Sequence, residues 1–114
     1  MIAVIFEVEP APGRQGAYLA AAAALRAELG TIDGFISIAR YASLTQPERM
    51  LSLSFWRDEE AVRRWRTLPA HQATQRLGRD GVFRTYRLRV AEVVRDYGMH
   101  EREQAPADAR ALHG

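Results

Sequence analysis

The sequence has 114 residues, a length typical of one domain, and 47% of them are hydrophobic and 26% charged, as in ordinary globular proteins. No apolar run approaches the roughly 20 residues that a membrane-spanning helix needs. It contains no cysteine, which excludes disulfides, thiolate nucleophiles and iron–sulfur sites, and every basic residue is arginine, which excludes Schiff-base chemistry on lysine. The net charge is +2, and the arginines are interleaved with acids over several predicted elements, which disfavours nucleic-acid binding.

The chain opens on a predicted β-strand, in which apolar side chains alternate from Ile2 to Val8. No basic segment precedes this run, and Glu7 and Glu9 interrupt it, so the pattern differs from that of a secretory signal. Because cysteine is also absent, the sequence predicts a cytoplasmic protein.

An alanine-rich helix and two further strands are predicted next. Residues 14–29 combine high helix propensity with one apolar stripe, and Gly30 stands where helices commonly end in a left-handed residue. The pair Asp33-Gly34 is a turn signal. Residues 35–41 and 50–56 then predict the second and third strands, which a polar hairpin loop joins.

The second half of the chain predicts a helical region, a last strand and a tail. The acidic run at residues 58–60 lies in the first turn of the second helix, where the helix dipole favours negative charge. Pro69 suits the first turn of a continuing or restarted helix. Residues 83–93 alternate as a fourth strand, and the polar residues 99–114 predict a flexible C-terminal tail.

The order β-α-β-β-α-β predicts an α+β fold, a ferredoxin-like domain with an antiparallel sheet over residues 1–98. Two helices cover one face of such a sheet, so the other face of a monomer should be polar, yet the first strand is apolar on both faces. The second strand is expected to place Phe35, Ala39 and Tyr41 on one side and Ile36 and Ile38 on the other. Each large side chain left in water forgoes about 1.5–3 kcal/mol. We therefore expect a homodimer through the sheet face, the alternative being scattered exposed hydrophobic residues.

The strongest local signature begins in residues 54–61, which read SFWRDEEA and are followed by Trp65 and His71. This pattern resembles the antibiotic biosynthesis monooxygenase family, and so does DGFIS at residues 33–37 before it. The resemblance covers roughly residues 1–98 and includes three later stretches, HQATQRLGR at 71–79, YRLRVA at 86–91 and RDYG at 95–98.

The resemblance implies a dimeric α/β barrel with a pocket between the sheet and the helices. Some members of that family oxidise aromatic polyketides or quinols with dioxygen and without metal or flavin, others bind and degrade haem, and some have no known activity. We expect a cofactor-independent monooxygenase that acts on a small electron-rich aromatic, such as a phenol, quinol or anthrone. The alternatives are a haem-binding or haem-degrading protein and a non-catalytic dimer that binds a small molecule.

Two residues are candidates for catalysis on the basis of this resemblance. His71 is the only histidine within residues 1–98, and an imidazole that titrates near neutrality can act as a general base. Its alternative role is that of a hydrogen-bonded packing residue. Trp65 would orient the substrate and donate a hydrogen bond to it. Trp56 would flank the same pocket wall, although a core position is the better expectation for it.

Further residues are expected around the substrate pocket. Tyr18, Tyr41, Phe55 and Tyr86 could form an aromatic lining, although simple core packing is equally expected at these spacings. Arg40 follows Ile38 on the same strand face, so one interpretation draws it inward, where a guanidinium needs an anionic partner. Its alternative is a surface position at a strand end.

No metal site is expected, because one histidine within the predicted fold and no His-x-x-x-His spacing leave too few ligands. Aligned on Trp56 and Trp65, the haem-ligating histidine of the haem-degrading relatives falls on Gln75, and glutamine is a poor haem ligand. His71 lies one helical turn away, about 5.4 Å, and would need a different haem pose. We therefore expect no cofactor.

Overall fold

A four-stranded antiparallel sheet with helices on one face forms the body of the protein in its computed structural model. The structure describes residues 1–113, and for residues 70, 74, 77, 78 and 113 it describes the backbone only. The elements in chain order are β1 (Ile2–Pro10), α1 (Gln15–Leu29), β2 (Phe35–Ala42), β3 (Met50–Trp56), α2 (Glu59–Arg66), α3 (Pro69–Leu77), β4 (Phe83–Glu92) and α4 (Ala107–His113). A kinked turn at Gly78–Val82 joins α3 to β4. The predicted α+β class and its β-α-β-β-α-β order are confirmed.

The strand order is β2-β3-β1-β4, so β1 lies at the centre and pairs with both β3 and β4. In the register of these pairs, Ile5 lies opposite Leu53 on one side and opposite Arg89 on the other. We call the helix-covered side of this sheet the inner face and the opposite side the outer face.

The inner face of the sheet carries two separate apolar clusters. The first gathers the ends of β1, β3, α1 and α2 around Ile2, Val4, Leu29, Trp56, Ala61 and Val62. The second lies at the other end of β1 and contains Val8, Tyr18, Met50 and Val82. Between Trp56 and Met50, the inner face of β3 carries Ser52 and Ser54, whose small side chains leave room beneath the helices.

The alternation of β3 places its serines inward and its large apolar residues outward. Ser52, Ser54 and Trp56 are buried, whereas Leu51, Leu53 and Phe55 are partly exposed on the outer face. Trp56 decides this orientation, because it is fully buried in the first apolar cluster and side chains alternate strictly along a strand. The placement of Phe55 in the substrate pocket is therefore wrong.

A bulge near the start of β2 corrects the expected faces of that strand. Phe35 pairs with Trp56 and Ser37 with Phe55, so the register shifts by one residue between Phe35 and Ser37. This extra residue puts Phe35 and Ile38 on the same inner face, where both pack against the first apolar cluster. Ile36 lies in the bulge and is 52% exposed, so its expected grouping with Ile38 is wrong.

The connection from β3 to α2 is held by polar contacts that also fix the turn before β2. Asp58 caps α2, because its carboxylate accepts a hydrogen bond from the backbone N–H of Ala61 (2.9 Å), and this bond lowers the pKa of Asp58. Arg57 donates to both carboxylate oxygens of Asp33, at 3.0 and 3.1 Å. The acidic helix start predicted at residues 58–60 is confirmed.

The left-handed glycine in this region is Gly34 and not Gly30. Gly30 ends α1 with φ −64°, in the right-handed region, so the expectation for that residue is wrong. Gly34 has φ +94°, and a Cβ added to it would lie 2.7 Å from the Cβ of Ala61. Both its dihedral angle and its close approach to α2 therefore require glycine.

The segment after β4 projects away from the sheet and helices. The Cα radius of gyration is 16.5 Å, compared with about 13 Å for a compact domain of this length. Helix α4 was not predicted, and it is held to the preceding turn by Arg110, which donates to backbone carbonyls, including that of Ala105 at 3.0 Å. That residues 99–114 form a flexible tail stays a prediction. Over residues 1–113, no helix combines the length and the hydrophobicity needed to cross a bilayer.

Candidate functional site

A cavity of about 180 Å³ lies between the inner face of the sheet and helices α1–α3. Its walls are mostly aliphatic and aromatic, with Val4 and Phe6 from β1, Leu25 from α1 and Val62 from α2. A cavity of about 150 Å³ can bind benzene in another protein, so this one has room for a small ring-bearing molecule. The cavity adjoins the β4 edge, where Tyr86 and Leu88 line it although they are about half exposed.

Trp65 and His71 lie side by side in this cavity because α2 and α3 meet in a tight corner. The backbone N–H of Leu68 donates to the carbonyl of Trp65 (3.1 Å), and that of Gln72 donates to the carbonyl of Leu68 (3.0 Å). The ring centroids of Trp65 and His71 are 4.4 Å apart. The other side of the Trp65 ring stacks on Trp56, at a centroid distance of 5.1 Å.

Both side chains carry a buried nitrogen that has no hydrogen-bond partner among the described residues. These atoms are Nε1 of Trp65 and Nδ1 of His71. An indole N–H is always a donor, whereas the ring nitrogen of a neutral histidine is a donor or an acceptor according to its tautomer. Buried polar atoms are nearly always paired in native proteins, so two adjacent unpaired ones at a cavity wall indicate a place for polar atoms of a ligand.

The environment of His71 favours the neutral imidazole. Its burial is the main cause that lowers its pKa below the usual 6.5, and the positive charge of Arg66 lowers the pKa further. His71 is therefore largely neutral at pH 7 and can accept a proton. Burial and the cationic Arg66 thus both disfavour the imidazolium.

The sheet contributes a polar strip to the floor of the cavity. Arg40 from β2 lies opposite Ser52 in the register of β2 and β3, and both line the cavity together with Ser54. Ser54 accepts a hydrogen bond from the indole N–H of Trp56 (2.9 Å). The Nε of Arg40 is buried and lacks a hydrogen-bond partner within the described part of the chain. Of the two positions considered for Arg40, the structure shows the one on the inner face and not the surface position.

Most of the expected pocket residues line the cavity, namely Tyr18, Arg40, Trp65, His71 and Tyr86. Trp56 packs behind Trp65 as a fully buried core residue. This is the core position preferred for it from the sequence, and not a place in the pocket wall. Tyr41 pairs with Leu51 on the outer face and is 52% exposed, so its place in the aromatic lining is wrong.

Sequence reasoning missed other residues of the lining. Phe83 was not singled out, yet its ring packs against those of Phe6 (5.8 Å), Tyr18 (5.6 Å) and Tyr86 (6.0 Å) at one end of the cavity. Its position at the start of a strand that continues with Tyr86 was the available signal. Ser52 was missed because a serine that alternates with leucines is typical of a solvent-facing position.

Among the side chains that the structure describes, no group of three or more histidines, aspartates or glutamates is placed to hold a metal ion. Gln75, the position aligned with the haem ligand of haem-degrading relatives, does line the cavity. Its amide offers no strong ligand for iron, and His71 has one face against the ring of Trp65. The donor set of the cavity therefore suits an organic ligand better than haem.

Comparisons with known proteins point to one family. The sequence profile described as "Antibiotic biosynthesis monooxygenase" matches residues 1–77. A protein of Pyricularia oryzae named "Jasmonate monooxygenase ABM" is 54% identical over 93 residues, which cover 82% of this chain and 43% of that protein. The chain thus spans less than half the length of this curated relative.

Solved structures share the fold at much lower identity. Rv0793 from Mycobacterium tuberculosis is 20% identical, with a TM-score of 0.76 over 85% of this chain and 98% of that one. A structure titled as a putative antibiotic biosynthesis monooxygenase from Deinococcus radiodurans is 12% identical, with a TM-score of 0.77 over 86% and 97% of the two chains. At these identities the likeness shows the fold alone.

Proposed function

We propose that this chain, which belongs to the antibiotic biosynthesis monooxygenase family, is a monooxygenase that oxidises a small electron-rich aromatic with dioxygen and without a cofactor. The observation that carries the proposal is the pair of unpartnered buried nitrogens on Trp65 and His71, side by side in a cavity with aromatic walls. The walls of the cavity are mostly apolar, and it presents a base and a hydrogen-bond donor to the same bound molecule.

The proposed reaction needs no cofactor or external reductant, because the substrate supplies all the electrons that reduce dioxygen. In an anthrone, the methylene loses two hydrogens and four electrons, one oxygen of dioxygen becomes the ketone and the other leaves as water. His71 accepts the proton that makes the substrate an electron-rich anion, and it returns that proton to the departing oxygen. The indole N–H of Trp65 donates to the substrate oxygen on which negative charge develops.

A second substrate class is favoured by the relative of 54% identity, which is named a jasmonate monooxygenase. Jasmonate is a cyclopentanone with an alkenyl chain and a carboxylate, and it is not aromatic. Hydroxylation of one of its C–H bonds consumes dioxygen, two protons and two external electrons and gives the alcohol and water. This reaction therefore needs a two-electron donor, such as a reduced nicotinamide, that an anthrone or quinol does not require.

Oxygen-electrode measurements on the purified protein test the proposal. With an anthrone or a quinol, we expect one dioxygen consumed per substrate, at a rate unchanged by a chelator and without a Soret band on addition of haem. Uptake that occurs only with jasmonate and a reduced nicotinamide would select the second substrate class. A haem titration that gives a saturable Soret band, bleached by ascorbate, would replace both substrate classes with haem degradation. Binding of a substrate without dioxygen uptake would indicate a non-catalytic binding protein.

We also propose that the chain forms a homodimer through the outer face of the sheet, as in a dimeric α/β barrel. Ile5 and Leu53 are paired across the two central strands of this face, and Leu51 and Phe55 flank them on β3. All four are partly exposed in a single chain, and they form a contiguous apolar surface that a second copy would cover. A cytoplasmic location stays a prediction.

Substitution of Leu53 by glutamate is expected to convert the dimer to a monomer, because a second copy would then bury two unpaired carboxylates near the symmetry axis. Sedimentation equilibrium gives the mass of each variant. The matched control is Leu44→Glu, since Leu44 is fully exposed (100%) in the loop between β2 and β3 and its change should leave the dimer intact. A wild-type protein that sediments as a monomer, or a Leu53→Glu protein that remains dimeric, would contradict the proposed interface.

A further inference from the structure

Arg40 is the arginine of this chain whose surroundings most need explanation. It projects from the edge strand β2 onto the inner face, is partly buried, and keeps its Nε out of contact with solvent. Neither a hydrogen bond nor an ion pair to another described residue satisfies it. A buried guanidinium nitrogen without an acceptor is costly, so the unpaired Nε of Arg40 at a cavity wall indicates an anionic ligand.

Several acids of the described chain form ion pairs with other arginines, and none of these pairs involves Arg40. Ion pairs on the surface join Arg49 to Glu9 (3.3 Å), Arg57 to Asp33 (3.0 Å), Arg63 to Glu60 and Arg89 to Glu7 (3.0 Å). None of the described side chains that line the cavity is an aspartate or a glutamate. The floor under the helices therefore holds a cation with no protein counter-ion.

Two more arginines add to the positive potential of the cavity. Arg66 at the end of α2 and Arg79 in the turn after α3 both line it from the helical side. They are exposed, so water screens them more than it screens Arg40. Beside Arg40, the hydroxyl group of Ser52 faces the same space and can donate to an oxygen that the guanidinium holds.

We propose that the substrate of this cavity carries a carboxylate and that Arg40 binds it from the sheet floor. The proposal rests on the function proposed above, since it describes the ligand of the same cavity. A carboxylate matches the planar fork of a guanidinium through two parallel hydrogen bonds, and it needs one buried arginine, whereas a phosphate group is commonly held by several donors. With the carboxylate on the sheet, the rest of the molecule extends toward Trp65 and His71 on the helical side.

The test compares each of two acids with its methyl ester, which has the same carbon skeleton without the charge. Jasmonate and methyl jasmonate form one pair of probes, and salicylate and methyl salicylate form an aromatic pair. Binding is measured by calorimetry, so no turnover is needed. Wild-type protein is expected to bind at least one acid about tenfold or more tightly than its ester, and Arg40→Met is expected to remove this preference by weakening the acid alone.

Two further variants separate a binding role from a structural one. Arg40→Lys keeps the charge but loses the fork, so it should retain part of the preference for the acid. Arg26→Met removes an exposed arginine of α1 that does not line the cavity, and it should leave both affinities unchanged. Thermal melts establish that each variant is folded.

The outcomes distinguish this inference from the proposed function. Equal affinity for acid and ester in wild type, equal weakening of both by Arg40→Met, or no binding of either acid would overturn the carboxylate site, even if the protein consumes dioxygen with a neutral substrate. Loss of the acid preference in Arg40→Met without any dioxygen uptake would establish the site and remove the monooxygenase proposal.

Discussion

Replacement of His71 by alanine is expected to lower kcat by about 10²- to 10⁴-fold, the usual contribution of a general base. The substrate KM should change little, because most of the cavity wall is apolar and remains in place. The rate of dioxygen consumption at saturating substrate measures the effect. His100→Ala is the matched control, since His100 is exposed in the C-terminal segment and lies outside the cavity lining.

The dependence of kcat/KM on pH tests the same role in the unmodified protein. Burial and the charge of Arg66 lower the pKa of His71 below 6.5, so the neutral form predominates above that pH. Because kcat/KM reports the pKa of the free protein, we expect it to be level at neutral and higher pH and to fall as the pH drops through the lowered pKa. A profile without this fall, or a His71→Ala protein with unchanged kcat, would remove His71 from the mechanism.

Truncation of Trp56 to alanine is expected to lower the free energy of unfolding by about 3–5 kcal/mol, the range for a large buried aromatic side chain. Trp56 is 0% exposed and contacts the rings of Phe35 (5.2 Å) and Trp65 (5.1 Å). Its indole N–H also donates to Ser54 (2.9 Å), which would lose this partner. Urea denaturation followed by circular dichroism, at one fixed protein concentration, gives the change.

The control for this truncation is Tyr97→Ala, which removes an aromatic ring from the projecting C-terminal segment. Tyr97 is 42% exposed and its ring lies under the guanidinium of Arg102, so its loss should cost less than about 1 kcal/mol. A cost below about 1 kcal/mol for Trp56→Ala would mean that Trp65 and Phe35 close the void, and the wall behind the cavity would then be more plastic than its packing indicates.

The sequence was sufficient for the order of the elements from β1 to β4, because each of these has its own local signal. The period of two in β1, the alanine-rich stripe of α1 and the acidic start of α2 are all short-range patterns, and the structure reproduces them. The bulge of β2 is different, because it follows from the need to place both Phe35 and Ile38 against the first apolar cluster. This requirement comes from tertiary packing, so no local sequence pattern predicts the bulge.

The candidate site was predictable only in part. Trp65 and His71 were found through a family resemblance, and Arg40 through its position two residues after Ile38 on one face of a strand. Phe55 was misplaced because a strand with large side chains on one face and small ones on the other normally turns the large ones toward the helices. In β3 the burial of Trp56 reverses that rule.

The alternation of β3 has a consequence for how this protein can diverge. Its odd-numbered residues, such as Leu53, face away from the ligand, whereas the even-numbered Ser52 and Ser54 form the floor of the ligand cavity. Exchange of Ser52 for alanine or threonine would reshape the ligand space by a hydroxyl or a methyl group without altering the surface on the far side. In the proposed dimer, neighbouring residues of one strand would thus control selectivity and self-association separately, so that the substrate range could change while the proposed quaternary structure stays constant.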